Sequence, residues 1–242
     1  MKDFLKRNSV FIGLSLMLII ALGLAVALIP RGELHMLLCD HHTPARDIFF
    51  RYYTKVAEYL PYVLCLLTLL FGRAGHAALA ASCIACSELT TQIIKHIVQA
   101  PRPLLWFAQN YPDVHLPLAP GVRMNYLLSF PSGHTTSFFA LFFALTMVVT
   151  SLHNDHSKQK EPSYWQSFLY TILIPLTLFI LAVLGGYSRI YLSQHFAQDV
   201  LGGMSVGLVI SIICYTIFSK FEGQKWYNYH FFAKKVQKNL VE

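Results

Sequence analysis

Long apolar runs separated by short polar segments dominate this chain. A helix rises about 1.5 Å per residue, so about 20 residues cross the roughly 30 Å hydrocarbon layer of a bilayer. Six runs meet or approach that length and predict membrane spans near residues 9–29, 56–72, 77–95, 134–152, 165–187 and 197–219. The second run is short, and we lengthen it with Val56 and Ala57, with Lys55 and Glu58 snorkelling to the interface.

This pattern predicts an all-α protein. Each span must hydrogen-bond its own backbone in lipid, and the sequence lacks the alternating segments of about ten residues that a membrane barrel needs. We therefore expect residues 1–242 to form a single membrane domain, an integral six-helix bundle. The first run resembles a signal peptide, but its uncharged core is too long, so we expect it to remain as a span.

Two segments show the pattern of helices that lie on the membrane surface. Residues 47–60 repeat apolar side chains at helical spacing between Arg51, Lys55 and Glu58. The tail from Trp226 onward mixes aromatic residues with lysines in the same way. We expect both segments to be interfacial.

Composition and charge add an orientation to this picture. The chain is 55% hydrophobic and 13% charged, as a membrane protein is. Of its 19 Lys and Arg residues, eleven flank the side that carries both termini and eight flank the other. Three of those eight belong to the motifs described below, so the bias favours cytoplasmic termini. The net charge of +7 comes from residues that flank apolar runs, which argues against nucleic acid and for anionic lipid headgroups.

Polar and sulfur-containing residues inside the runs are few. Four of the five cysteines lie within runs, where they act as small hydrophobic residues, so we expect no disulfide framework. Cys83 and Cys86 form a CxxC pair without a second Cys or His pair at metal-ligand spacing, which argues against zinc. Glu88 interrupts the third run and either lines a polar channel or satisfies neighbouring polar groups.

Three short strings at the ends of runs combine the groups that phosphate-ester cleavage needs, namely cations, a nucleophile and an acid. The first is KHIVQAPRP, residues 95–103. Lys95 closes the third run, and Pro101 and Pro103 stop the helix so that Arg102 lies beyond its end. Arg supplies a planar fork and Lys a mobile point charge, so the two cations complement each other on one phosphate.

The second string is PSGH, residues 131–134, where the fourth run begins. Ser132 is a good N-cap, and Gly133 allows the backbone to approach an anion closely. The helix N-terminus offers free amides and a positive dipole end to phosphate. His134 stands in the first turn, where a proton-donating role requires the substrate to be in place.

The third string is SRIYLSQHFAQD, residues 188–199. His195 and Asp199 are one helical turn apart, so the carboxylate can accept a hydrogen bond from one ring nitrogen while the other attacks phosphorus. Arg189 is a third cation, and Ser188 precedes it. Taken singly, each cation also fits an interfacial anchor and each histidine a structural role. The joint occurrence of complementary groups on one predicted side favours the functional interpretation.

The motifs KxxxxxxRP, PSGH and SRxxxxxHxxxD resemble the signature of the type 2 phosphatidic acid phosphatase superfamily, which includes bacterial lipid phosphatases and the related vanadium haloperoxidases. The resemblance covers a core at about 77–219 and implies catalysis without a metal ion or other cofactor. It implies that His195 is the nucleophile that forms a phosphohistidine, Asp199 its partner and His134 the acid. The residues that would hold the phosphoryl oxygens are Lys95, Arg102, Ser132, Gly133 and Arg189, to which we add Ser188.

The resemblance and the membrane pattern together predict a phosphatase in the cell inner membrane, with its site facing the periplasm. The expected partners are a phosphorylated lipid and the bilayer, with no nucleic acid and no obligatory protein. We lean to lipid A or a related envelope lipid because the site faces outward and because residues 104–130 form a large aromatic loop. This loop caps the site or grips the headgroup, or else it forms an interfacial belt. Phosphatidylglycerophosphate, undecaprenyl pyrophosphate and phosphatidic acid are alternatives. A transporter of a phosphorylated solute is the rival outside enzymes, and a haloperoxidase is disfavoured because those proteins are usually soluble.

Overall fold

The structure is a computed structural model that describes residues 2–60, 63, 72–157 and 161–230. All regular secondary structure in these residues is helical, which confirms the predicted all-α class. The helices are α1 (Lys2–Arg7), α2 (Ser9–Leu28), α3 (Arg31–Cys39), α4 (Pro44–Tyr53), α5 (Ala74–Val98), α6 (Pro103–Asn110), α7 (Gly133–Ser157), α8 (Tyr164–Phe168), α9 (Ile174–Tyr191) and α10 (Ala197–Phe218). A π-helical turn, Leu169–Leu173, joins α8 to α9, and a 3-10 turn, Ser219–Phe221, follows α10.

Within the described residues, five helical stretches are long and apolar enough to cross a membrane: Ser9–Leu28, Ala74–Asn110, Gly133–Ser157, Tyr164–Tyr191 and Ala197–Phe221. They contain the third, fourth, fifth and sixth predicted spans, and the first, 9–29, except for Ile29. The predicted second span, 56–72, begins with helical residues 56–60, but most of the remainder lies outside the described residues. The count of six spans therefore stays a prediction.

Helix α7 forms the centre of the bundle and packs against α5, α9 and α10. Its phenylalanines, Phe138, Phe139, Phe142 and Phe143, are all buried in the main hydrophobic core. Helix α10 approaches α7 closely because Gly203 and Gly207 face it: a Cβ at Gly203 would lie 2.6 Å from the Ser132 carbonyl oxygen. Small residues four apart let membrane helices pack backbone to backbone.

Four helix ends meet at one end of the bundle. Helix α5 ends at Val98 because Gln99 adopts a left-handed backbone with φ 49° and Pro101 and Pro103 follow. Since α7 and α10 begin at this end and α9 finishes there, the three motif strings are brought together. Helix α1 and residues 222–230 pack at the opposite end, where the amide of Gly75 donates to the carbonyl of Tyr227.

The segments predicted to lie on the membrane surface differ from expectation in two places. Helix α4 exposes Ile48, Phe49 and Tyr52, as an interfacial helix does, and Glu58, which is exposed, also lines a cavity that was not expected. In the tail, Trp226 and Tyr229 are exposed, whereas Tyr227 is buried against the start of α5. The predicted tail residues from 231 onward lie outside the described residues.

Candidate active site

A cavity of about 830 Å³ opens at the end of the bundle where the three strings meet. Its lining includes six residues that the sequence analysis selected, Lys95, Arg102, Gly133, His134, Arg189 and His195. They lie at the ends of α5 and α9 and at the starts of α6, α7 and α10, so their meeting is a consequence of helix packing. The arrangement places three cations and two imidazoles around one space.

His195 and Asp199 are not one turn apart on a helix as predicted, because α10 begins only at Ala197 after the extended Phe196, but their side chains still meet. The Nδ1 atom of His195 lies 3.6 Å from Asp199 Oδ2 and 3.4 Å from Ser129 Oγ. Asp199 Oδ2 also accepts hydrogen bonds from Ser129 Oγ at 2.6 Å and from the amide of Phe196 at 2.8 Å. Because Nδ1 faces these partners, Nε2 is the ring nitrogen left for chemistry in the cavity.

The electrostatic surroundings of His195 keep its ring neutral. Burial lowers the pKa of His195 well below its ordinary value of 6.5, and the cations Arg102, Arg189 and Lys95 lower it further. A neutral imidazole keeps a lone pair on one nitrogen. His195 can therefore present a lone pair to the cavity.

Arg102 is held by the backbone of the loop that follows it. Its Nε atom donates to the carbonyl of Leu127 at 2.9 Å, and its amide donates to the carbonyl of Tyr126 at 2.8 Å. Its Nη1 atom donates to Gln194 Oε1 at 3.2 Å. The guanidinium of Arg102 is buried but fixed in orientation, as bidentate phosphate recognition requires.

The loop at 104–130 acts as a scaffold for the site rather than as an aromatic grip. Carbonyls of this loop also accept from Ser193 and Gln194, next to His195. Trp106 packs on Phe107 and Phe196, away from the cavity lining. Asn125 is the residue of this loop that lines the described cavity. The expectation that its aromatic side chains grip a headgroup is not supported.

Arg189 and Lys95 are buried on the other side of the cavity. Arg189 Nη1 donates to Thr54 Oγ1 at 2.6 Å, and Arg189 Nε has no hydrogen-bond partner within the described part of the chain. A Cβ placed on Gly133 would lie 3.7 Å from Lys95 Nζ, so the ammonium lies directly beside the first turn of α7. Buried cations with unused donors favour binding of an anion.

His134 stands in the first turn of α7, as expected, and contacts a carboxylate. Its Nε2 atom lies 3.2 Å from Glu58 Oε1. Glu88 lies nearby but is engaged by other groups: it accepts from Gln92 Nε2 at 2.8 Å and from Ser137 Oγ at 3.2 Å. Glu88 thus lines the cavity and also satisfies its polar neighbours, which combines the two alternatives drawn from the sequence.

Two predicted phosphate-binding residues point elsewhere. The Ser132 hydroxyl accepts from Thr135 Oγ1 at 2.9 Å, and the Ser132 amide donates to the Asp199 carbonyl at 2.9 Å. The Ser188 hydroxyl donates to the Gly185 carbonyl at 2.6 Å. Both serines are fully buried and do not line the described cavity, so this geometry assigns them to helix capping and packing.

Sequence reasoning did not find Ser129, Gln194 or Thr54, which hold His195, Arg102 and Arg189 respectively. Gln194 adjoins His195 and Ser129 closely precedes PSGH, so proximity to a motif is a usable signal for both. Thr54 lies 135 residues from Arg189 and outside every motif, so the sequence carries no comparable signal for it.

Comparison with known proteins agrees with this geometry. The sequence model of the PAP2 superfamily matches residues 76–222. The chain belongs to the PAP2 superfamily. The predicted resemblance to the type 2 phosphatidic acid phosphatases is thereby confirmed.

Individual PAP2 relatives match different parts of this chain. Phosphatidylglycerophosphatase B of Bacillus subtilis (strain 168) is 34% identical over 105 residues, which cover 43% of this chain and 44% of that protein. The chain thus spans less than half the length of this relative. The crystal structure of Aquifex aeolicus LpxE is 25% identical and superposes with a TM-score of 0.56 over 76% of this chain and 93% of that one.

A second solved structure supports the fold alone. The first transmembrane PAP2 type phosphatidylglycerolphosphate phosphatase from Bacillus subtilis is 20% identical, with a TM-score of 0.58. The match covers 91% of this chain and all (100%) of that chain. Together with the apolar helices, these neighbours establish a multi-pass membrane protein of the PAP2 fold.

Proposed function

We propose that this PAP2 protein is a membrane phosphatase that hydrolyses a phosphate monoester or pyrophosphate on a lipid headgroup through a phosphohistidine. The observation that carries the proposal is the convergence of Lys95, Arg102 and Arg189 with two imidazoles around one cavity. Three fixed cations match the charge that spreads over the equatorial oxygens of a transferring phosphoryl group.

In the proposed first step, His195 Nε2 attacks phosphorus and the P–O ester bond breaks. The electron pair leaves with the ester oxygen, which takes a proton from His134. Asp199 Oδ2 lies 3.6 Å from the neighbouring nitrogen, Nδ1 of His195, and its negative charge stabilises the positive ring that forms. In the second step, water attacks the phosphohistidine and gives its proton to His134, the P–N bond breaks, and orthophosphate is released.

The shape of the cavity supports a lipid substrate. From the cationic end it follows α5 past Gln92 and Leu89 to Ala81, with Ile84 and Ala85 in its wall. At about 1.5 Å per residue, Lys95 and Ala81 are separated by about 21 Å along the helix. A phosphate bound among the cations would leave an attached acyl chain alongside this apolar face, within the hydrocarbon layer.

Lipid A or a related envelope lipid is the headgroup we favour, because the bias of Lys and Arg supports a cavity on the periplasmic side. The name of the Bacillus subtilis relative supports phosphatidylglycerophosphate as the first alternative, and undecaprenyl pyrophosphate is the second. Purified protein is incubated with each lipid in detergent micelles, and released phosphate is measured. The preferred lipid identifies the headgroup, and hydrolysis confined to water-soluble phosphates would defeat the lipid assignment.

Replacing the nucleophile tests the mechanism directly. We expect His195→Ala to lower kcat by about 10⁴-fold or more and to prevent trapping of a ³²P-labelled phosphoenzyme. His115→Ala is the matched control, because His115 is exposed and does not line the described cavity. Hydrolysis that survives His195→Ala, or transport of a phosphorylated solute by that variant without hydrolysis in the wild type, would contradict the proposal.

We also propose that the protein lies in the cell inner membrane with the site facing the periplasm and both termini in the cytoplasm. The bias of Lys and Arg toward the terminal side supports this orientation. The packing of α1 and residues 222–230 at the end opposite the cavity is consistent with it.

A further inference from the structure

The carboxylate of Glu58 is a charged group in the cavity that the proposed mechanism does not use. Its Oε1 atom lies 3.2 Å from His134 Nε2, and both residues line the cavity. Glu58 is far from every motif string, since 76 residues separate it from His134. Its contact is nevertheless with the group assigned as the acid.

Three cations line the same cavity as His134. They are Arg189, Lys95 and Arg102. The N-terminus of α7 adds the positive end of a helix dipole. All of them oppose the imidazolium form that an acid requires. Glu88 is the second carboxylate of the cavity, but it is held by Gln92 and Ser137.

The backbone around Glu58 is tied to the site on two sides. Thr54, one helical turn earlier, accepts from Arg189 Nη1 at 2.6 Å. The amide of Glu58 donates to the carbonyl of Lys55 at 2.9 Å, and residues 56–60 are helical. The short segment 54–58 therefore presents a hydroxyl to one cation and a carboxylate to the acid, in a fixed relation.

We propose that Glu58 is a positioning residue that orients His134 and stabilises its protonated form, as Asp199 does for His195. This inference depends on the proposed phosphatase function. When the P–O bond breaks, His134 transfers its proton to the ester oxygen and becomes neutral, while Glu58 remains ionised and returns to a simple hydrogen bond. Glu58 thus favours the proton donor before the step without taking up a proton itself.

The leaving group provides the test. A nitrophenolate leaves without protonation, whereas an alkoxide needs the acid. We measure kcat/KM for Glu58→Gln with 4-nitrophenyl phosphate and with an alkyl phosphate in the same detergent micelles, because kcat/KM reports phosphoryl transfer to His195 and excludes hydrolysis of the phosphohistidine. We expect a loss of about 10²-fold for the alkyl ester and of less than about fivefold for the aryl ester.

Two further variants test whether Glu58 positions His134 or only stabilises the fold. Glu58→Asp keeps the carboxylate and should regain at least about tenfold of the alkyl-ester activity lost in Glu58→Gln. Glu88→Gln removes a carboxylate of the same cavity that does not contact His134, and it should change both esters by the same factor. Thermal unfolding in detergent shows that each variant is folded.

The results with these variants distinguish failure of the role proposed for Glu58 from failure of the proposed phosphatase function. Equal losses for both esters in Glu58→Gln, or no recovery in Glu58→Asp, would show that Glu58 has a structural role alone. A rise in kcat/KM for the alkyl ester would show that Glu58 obstructs the site. If the wild-type protein hydrolyses neither ester nor any phospholipid, the phosphatase function itself is wrong, and the role of Glu58 falls with it.

Discussion

At the scale of single residues, the two histidines of the site differ in the charged side chains that surround them. His195 is surrounded by cations and backed by Asp199, which favours a neutral ring with one free lone pair. His134 meets the same cations from the other side but contacts Glu58. In the proposed mechanism this difference suits His195 to attack and His134 to donate, although the intrinsic pKa values of the two side chains are the same.

The depressed pKa of His195 predicts the pH dependence of the enzyme. As the pH falls, protonation of His195 removes the attacking lone pair, and because its pKa is lowered this loss occurs well below pH 6.5. Arg102 is the largest charge contribution to that depression. We therefore expect Arg102→Gln to move the acidic fall of kcat/KM upward toward 6.5, as measured from about pH 4 to about pH 9.

The control for this measurement is Arg123→Gln. Arg123 is exposed on the neighbouring loop and does not act on His195, so its removal should leave the acidic fall in place. The phosphate substrate itself titrates near pKa 6, and this contribution is common to both variants. An acidic fall that is unchanged in Arg102→Gln would contradict the electrostatic account of His195.

At the scale of secondary-structure elements, the close approach of α10 to α7 holds two motif strings together. Gly203 faces the Ser132 carbonyl, and the Ser132 amide donates to the Asp199 carbonyl at 2.9 Å. The glycine that permits close packing is therefore one turn away from the carboxylate that holds His195. The contacts that pack α10 against α7 therefore also set the positions of the two motif strings in the site.

We expect Gly203→Ala to destabilise the protein by about 1–3 kcal/mol or more, because the added Cβ would lie 2.6 Å from backbone, which cannot move aside as a side chain can. Activity should fall with stability, since Ser132 and Asp199 must shift apart. Gly13→Ala on α2 is the control, as its Cβ would meet nothing within 4 Å. Thermal unfolding in detergent measures both, and equal stability of the two variants would contradict this packing argument.

The sequence predicts helix ends better than it predicts contacts between helices. Pro101 and Pro103 mark the end of α5, and the turn chemistry of PSGH marks the start of α7, because both act on the local backbone. The positions of Thr54 and Glu58 beside Arg189 and His134 depend on how distant segments pack. Ser132 shows the converse, since its N-cap chemistry is predictable but its burial away from the cavity is not.

At the scale of the whole molecule, the fold separates the two ends of the bundle chemically. The cavity end gathers the cations of the three strings, while the opposite end gathers α1, the start of α5 and residues 222–230. The helices between them expose apolar side chains outward, among them Met17, Ile20 and Leu24 on α2. This pattern fits a bilayer around the middle of the bundle and water at both ends.

The proposed orientation follows from charges that have no role in the site. When Lys95, Arg102 and Arg189 are left out of the count, the side that carries the termini has eleven Lys and Arg residues and the cavity side has five. Positive loops are retained in the cytoplasm during insertion.

We therefore expect a thiol at Asp113→Cys, in the exposed loop on the cavity side, to react with a membrane-impermeant maleimide applied to the outside of cells. A thiol at Gly223→Cys should react only after the inner membrane is broken. The unaltered chain gives the background from its native cysteines, and the reverse labelling pattern would place the cavity in the cytoplasm and exclude periplasmic lipids as substrates.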